Sequence, residues 1–315
     1  MILSILKILL YILIGVAGMF LILYALYRYA RFAKRVPYTT HSPKRINTET
    51  ATYSVLSLNV KMIDWYTAWP SRWLSKFIPH KRRDKIIEFL ERGQHDVVLL
   101  QEAFSVAFQD IVIKRLRHMY PHTLVYRPKT PLFRWINNGL MILSKYPLNN
   151  PSLTEYSKLT DADSWVPKGA VMATVDSPQP FKVLNTHTQA FEGWLNDKIR
   201  INGVTEMRKA IESYGDPQLP FVLGGDFNIS RRHGYFRAIL RVLKVPLYKL
   251  EGALQYSWDP EGNPLCSYEH GAEQETLDWI FIRDITKKIT HKAARVIPIS
   301  ISDHYPVERT FSIAE

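Results

Sequence analysis

The run LPFVLGGDFNIS, residues 219–230, has the character of a buried strand and stops abruptly at two glycines, an aspartate and an asparagine. It is one of six strand-edge positions closed by a carboxylate, an amide or an imidazole. Asn59 ends TYSVLSLN, Glu102 ends DVVLLQE, His187 ends FKVLNTH, and Asp226 and Asn228 end FVLGGDFN. Asp278 lies in TLDWIF, and Asp303 and His304 lie in ISDHYPV just before the last strand. Any one of these is an ordinary turn former or a surface histidine. Strands of one sheet, however, end on a common edge, and an edge lined with such groups is a poor structural choice unless something charged binds there.

Between those strands the period of the pattern changes. Residues 81–93 read as a helix closed by Gly93, 103–119 as a second, 194–214 as a third running into Gly215, and 234–243 as a fourth. The runs LMILSKY, GAVMATV and VERTFSI add further strands. With 46% hydrophobic and 22% charged residues the chain has ample material for a core. Strands interspersed with helices over residues 52–315 predict one α/β domain of sheets covered by helices.

The N-terminal segment is a different kind of sequence. Residues 8–26 carry no charge, and at 1.5 Å per residue such a run reaches about 28 Å, close to the hydrocarbon thickness of a bilayer. We read residues 1–35 as a membrane-spanning anchor with a basic flank, against the alternatives of a cleaved secretory signal or a buried core helix. Residues 36–51, with prolines, threonines and no apolar periodicity, read as a linker. Arg28, Arg31, Lys34 and Arg35 follow the apolar run, against Lys7 before it, which by the positive-inside bias places the large domain on the cytoplasmic side. About half of the +12 net charge lies in the first fifty residues, where attraction to anionic headgroups accounts for it without nucleic acid.

Oxygen and imidazole donors with a single cysteine, Cys266, point to magnesium, manganese or another hard divalent cation and away from a cysteine zinc site. A cation at Glu102 would polarise a phosphoryl oxygen, and a histidine oriented by a carboxylate could take a proton from water, which together describe phosphoester hydrolysis. The chain has no Gly-x-Ser-x-Gly elbow, no P-loop and no Rossmann glycine fingerprint.

LLQEAF, LNTHTQA, GGDFN, LDWIF and SDHYPV, in this order, resemble the endonuclease/exonuclease/phosphatase superfamily, and within it the neutral sphingomyelinases. NTHTQA is similar to their NTHLQA run with Thr188 in place of leucine, and Asp163 with Lys168-Gly169 is similar to an Asp-x-x-x-x-Lys-Gly element that acts there as a substrate-responsive switch. The resemblance implies a four-layered α/β sandwich with two central, mostly antiparallel sheets. It implies Mg2+ bound by Glu102 with Asn59 nearby, and His304 as general base oriented by Asp278. Asp226 and Asn228 would position water and phosphate, His187 would hydrogen-bond the developing charge, and Asp303 would support a second metal or the histidine. The implied partner is the lipid bilayer and the implied substrate a phospholipid, sphingomyelin giving ceramide and phosphocholine. A nuclease or other phosphoester hydrolase, and a non-catalytic membrane-anchored module, are the alternatives. Trp65, Tyr66, Trp69, Trp73 and Phe77, with Phe191 and Trp194, are either packed loops or an interfacial rim.

Overall fold

The computed structural model of the chain describes residues 2–31, 35–40, 52–62, 79–128, 137–266 and 272–314. The aromatic cluster from Trp65 to Phe77 lies outside them. Helix α1 (Ile2–Arg31) contains an 18-residue window, Leu9–Leu26, of mean hydropathy 2.5, long and apolar enough to cross a membrane. None of that window is buried in the protein, which removes the core-helix alternative.

The remaining elements form two stacked sheets. One has seven strands: β1 (Arg35–Thr40), β2 (Thr52–Asn59), β3 (Val97–Gln101), β4 (His122–Pro128), β5 (Met141–Ser144), β11 (Ile289–Val296) and β12 (Val307–Ile313), in the order β1-β4-β5-β3-β2-β12-β11. The other has five: β6 (Leu148–Glu155), β7 (Gly169–Val175), β8 (Phe181–His187), β9 (Phe221–Asp226) and β10 (Asp278–Arg283), in the order β10-β9-β8-β7-β6. The parallel pairs are β2 with β3 and β8 with β9; the other pairings are antiparallel. The parallel pair β8 and β9 is bridged by α4 (Trp194–Ser213), and α2 (Pro79–Gly93) connects β2 to β3.

Period-two alternation assigns each strand face to a layer. Tyr53, Val55, Val97 and Leu99 face the second sheet, whereas Leu56, Leu58, Val98 and Leu100 pack outward with Ile86, Ile87 and Leu90 of α2 and Phe108, Val112 and Leu116 of α3 (Val106–Leu116). On the far side Val204, Met207 and Ile211 of α4 and Ile239, Leu240 and Leu243 of α5 (Phe236–Leu243) cover the second sheet. The paired glycines of the opening motif have different tasks. A Cβ on Gly224 would lie 2.3 Å from Leu99 Cδ1 of the facing sheet, and Gly225, at φ 144, would drive one to 2.1 Å from the Thr186 carbonyl. Close stacking of the sheets requires the first, and the backbone path into Asp226 requires the second.

Two expectations change. Residues 36–40, read as linker, pair along β4 as the edge strand β1. Arg35, counted among the basic residues facing headgroups, is buried, with Nη1 2.5 Å from Glu155 Oε1 of the second sheet. The proline and threonines that suggested a linker suit an edge strand, where one side makes no ladder.

Glu308 on β12 accepts from Arg295 Nε at 2.7 Å and lies 3.2 Å from His95 Nδ1. The adjacent His95 imidazole, opposed by burial and reinforced by Arg295, pulls its carboxyl down to about 2. Because the folded value lies below the unfolded one, this stability is present above the usual carboxylate range and is lost as pH falls through about 2. Discounted for partial solvent exposure, it is about 1–2 kcal/mol. Glu308→Gln is expected to melt several degrees below wild type at pH 7, with the gap closing toward pH 2.5 in thermal scans.

Candidate active site

The register of the second sheet places Glu155, Gly169, His187, Asp226 and Asp278 in one row across its five strands. Opposite, Asn59 partners Gln101 at the ends of β2 and β3, and Glu102 follows at φ 52. The two edges meet through Asn59, whose Nδ2 donates to Glu102 Oε1 at 2.9 Å and Asp226 Oδ2 at 3.0 Å. Its Oδ1 is occupied by the Lys61 amide at 3.1 Å. In this arrangement Asn59 spaces two carboxylates as a donor and offers them no oxygen.

Below this meeting point lies a contact that the pattern reading did not anticipate. Gln101 Nε2 donates to Asn185 Oδ1 across the sheets at 2.7 Å, and Asn185 Nδ2 donates to the carbonyls of Leu100 and Met141 at 2.8 and 3.0 Å. The signal was present in the sequence: an amide within each of two apolar runs needs a buried partner.

His304 Nδ1 donates to Asp278 Oδ2 at 2.7 Å, and Nε2 lies 4.0 Å from Asp226 Oδ2. Burial lowers the His304 value, but Asp278 and Asp226 outweigh it and raise it to about 10. Asp278 is itself fixed from behind, its amide and that of Leu277 donating to Ser257 Oγ at 3.0 and 2.9 Å. Burial, then the charge of Asp278, pushes Asp226 up to about 7. Burial and the charge of Asp303 raise Glu102. His187 goes the other way: burial, then the charges of Lys168 and His304, hold it well below its ordinary value and keep it neutral.

Asp163 and Lys168 join the same centre. Lys168 Nζ lies 2.7 Å from Asp163 Oδ1 and donates to His187 Nε2 at 2.8 Å and to the Thr188 carbonyl at 2.9 Å. Asp163 Oδ2 accepts the Ala190 amide at 2.6 Å. Asn228, at φ 48, donates through its amide N–H to Asp226 Oδ1 at 2.9 Å and through Nδ2 to the Thr188 carbonyl at 3.2 Å. Asp303 is engaged by Lys61 Nζ at 2.7 Å, and its carboxyl is lowered, burial being outweighed by His304 and Lys61. Lys61 was not singled out in the sequence; its signal was a charge two positions past a strand tip.

The donor set fits a hard divalent cation. Glu102, His187 and Asp226 each offer a ligand atom within 4.8 Å of the others, and so do Asp226, Asp278 and His304, with no thiol among them. The raised Glu102 and Asp226 carboxyls show crowded, buried negative charge that a cation would relieve. His187 Nδ1 and Asp278 Oδ1 are buried without a hydrogen-bond partner among the described residues.

Comparison with known proteins gives a match over residues 56–304 to the Endonuclease/Exonuclease/phosphatase family. "Sphingomyelinase C 2" of Leptospira interrogans is 26% identical over 84% of this chain and 47% of that protein, so the chain spans about half the length of that relative. "Sphingomyelinase C" of Listeria ivanovii is 24% identical over 72% of this chain and 78% of that protein. A crystal structure of a beta toxin double mutant from Staphylococcus aureus with bound magnesium ions superposes with a TM-score of 0.67 at 21% identity, covering 84% of this chain and all of that one (100%).

Proposed function

Since the chain belongs to the Endonuclease/Exonuclease/phosphatase family, we propose that it is a metal-dependent phosphoric diester hydrolase. The substrate we propose is a phospholipid headgroup, sphingomyelin giving ceramide and phosphocholine, cleaved by a domain anchored through α1. The observation that carries the reading is the buried sequence Asp163, Lys168, His187 joined to the Glu102–Asp226 centre. It joins the element that resembles sphingomyelinases to the residues of phosphoester chemistry. The named sphingomyelinase relatives support the same choice.

Glu102 and Asp226 are the residues that would hold magnesium or manganese, the His187 Nε2 lone pair being taken by Lys168, and a bound cation supplies Lewis-acid polarisation of a phosphoryl oxygen. The protein's own groups do the rest. Asp278 holds His304 by Nδ1, so that Nε2 faces the centre and accepts the proton of the attacking water. That water's oxygen bonds to phosphorus as the bond to the ceramide oxygen breaks; the leaving ceramide oxygen takes a proton from solvent, and His304 releases to solvent the one it accepted. Lys168 keeps His187 neutral and ordered, and both stand beside the negative charge that grows on the phosphoryl oxygens. Asp226 and Asn228 order water and phosphate.

The full-length chain in liposomes of sphingomyelin or of phosphatidylcholine, and with plasmid DNA, tests this. Phosphocholine release from sphingomyelin, abolished by chelator and restored by magnesium, is the expected result. Nicking of DNA without phosphocholine release would move the substrate to nucleic acid and overturn the lipid reading.

A further inference from the structure

The chain enters the sandwich at the edge that carries the catalytic row. β3 and β4 are both antiparallel to β5, so the C-terminal end of β4 lies at the same edge as Gln101 and Glu102. β1 is antiparallel to β4, and its first residue, Arg35, partners Pro128, the last residue of β4. Arg35 also pairs with Glu155, the outermost member of the row that contains His187, Asp226 and Asp278. α1 ends at Arg31, four Cα steps before Arg35, a reach of at most about 14 Å. Wherever the polar end of α1 lies, the catalytic edge is held close to it.

That edge also carries exposed apolar surface. β8 ends at His187, and the chain runs out over the edge to Trp194, where α4 begins. Phe191, Trp194 and Leu195 are 47%, 70% and 47% exposed, and among the described residues outside α1 no large hydrophobic side chain is more exposed than Trp194. The exposure is built into the loop. Buried Arg200 holds it from beneath, donating through Nε to the Gln189 carbonyl at 2.9 Å and through Nη2 to the Phe191 carbonyl at 2.6 Å. Lys198 Nζ stands 4.5 Å from the centre of the Trp194 ring. An indole and a phenyl ring beside an ammonium group form the amphipathic combination that suits the headgroup layer.

We infer that residues 191–195 are a bilayer-contacting surface that seats the catalytic edge on the membrane that α1 enters, so that the site faces lipid of the chain's own membrane. The occupant is the bilayer because α1 is tethered at this same edge. The contact rests on the reading of α1 as an anchor proposed above, and what the seated site does there rests on the phospholipid reading.

The test uses the full-length chain in phosphatidylcholine liposomes, labelled with a maleimide fluorophore at Trp194→Cys, or at Leu195→Cys should the first disturb folding. Gln218→Cys, exposed before β9 at the opposite edge, is the reference, and the unsubstituted chain with its buried Cys266 is the labelling blank. The expected result is quenching of the 194 or 195 probe by spin-labelled lipid and protection from aqueous iodide, with the reverse at 218. Equal iodide quenching at both edges overturns the inference. So does protection at 194 that vanishes when the protein is diluted into excess lipid, which would assign the patch to a second copy of the chain. No hydrolysis is measured, so failure of this result and failure of the hydrolase reading are separate outcomes.

Discussion

His304→Ala is expected to lower diester hydrolysis by about 10³–10⁴-fold with the fold retained. Nδ1 is committed to Asp278, which leaves Nε2 as the atom able to take a proton at the centre. Asp278→Asn should cost nearly as much, since an amide cannot hold the same tautomer. The pH profile separates positioning from mere structural damage. Burial lowers the His304 value, and Asp278 heads the charges that raise it to about 10, so the imidazole is charged at neutral pH until the surrounding negative charge is offset. In saturating magnesium the acid limb of the rate profile should move to lower pH in Asp278→Asn, because its chief raising partner is gone. Thermal melts followed by circular dichroism establish that each variant is folded. A fully active His304→Ala would sink the mechanism.

Glu102→Gln is expected to abolish turnover while leaving the cation-free protein at least as stable as wild type at pH 7. The carboxyl is raised by burial and by Asp303, so its surroundings disfavour the ionised form. Glutamine keeps an oxygen for the Asn59 Nδ2 bond at 2.9 Å and discards that charge. Wild type should melt higher as magnesium is added, as any ligand that binds only the folded state requires. The variant should lose most of that increment. A magnesium-dependent rise of equal size in both proteins would remove Glu102 from the cation site.

How much of this was legible in the sequence depends on what each strand buries. β3, β8, β9 and β10 stood out because runs such as VVLLQ and FKVLNTH are buried on both faces, and β2 and β12 because TYSVLSLN and VERTFSI alternate. β6 and β11 did not, because LNNPSLTE and ITHKAARV are largely exposed edge strands whose polar residues erase the alternation. β4 was missed for another reason: its buried Arg127 breaks the apolar run, and only the fold supplies Gln109 and Asp110 of α3 as its partners, each at 2.8 Å. Helix α3 begins at Val106 and not at residue 103, since Ser105 caps it by accepting the Phe108 amide at 3.1 Å. For the site, strand tips named the groups that the shared edge gathers. They could not show which way an amide turns, and so Asn59 was read as a ligand neighbour when its nitrogen faces the carboxylates. Nor could they show that Lys61 already holds Asp303.

The amide pair Gln101 and Asn185 has a meaning beyond stability. Apolar packing between two sheets is nearly indifferent to small sliding, because dispersion varies slowly with displacement and has no direction. A hydrogen bond is directional and tolerates little misalignment. The pair therefore acts as a locating pin: Glu102 is carried by one sheet and His187 by the other, and the pin sets how the two half-sites align. Substituting leucine at both positions removes the pin together with the donors that Ser57 Oγ and the Leu100 and Met141 carbonyls now use, so the protein should melt a few degrees lower. Turnover should fall further than that loss of stability accounts for, because its halves are free to drift. In such a molecule thermal stability would cease to be a guide to catalytic competence.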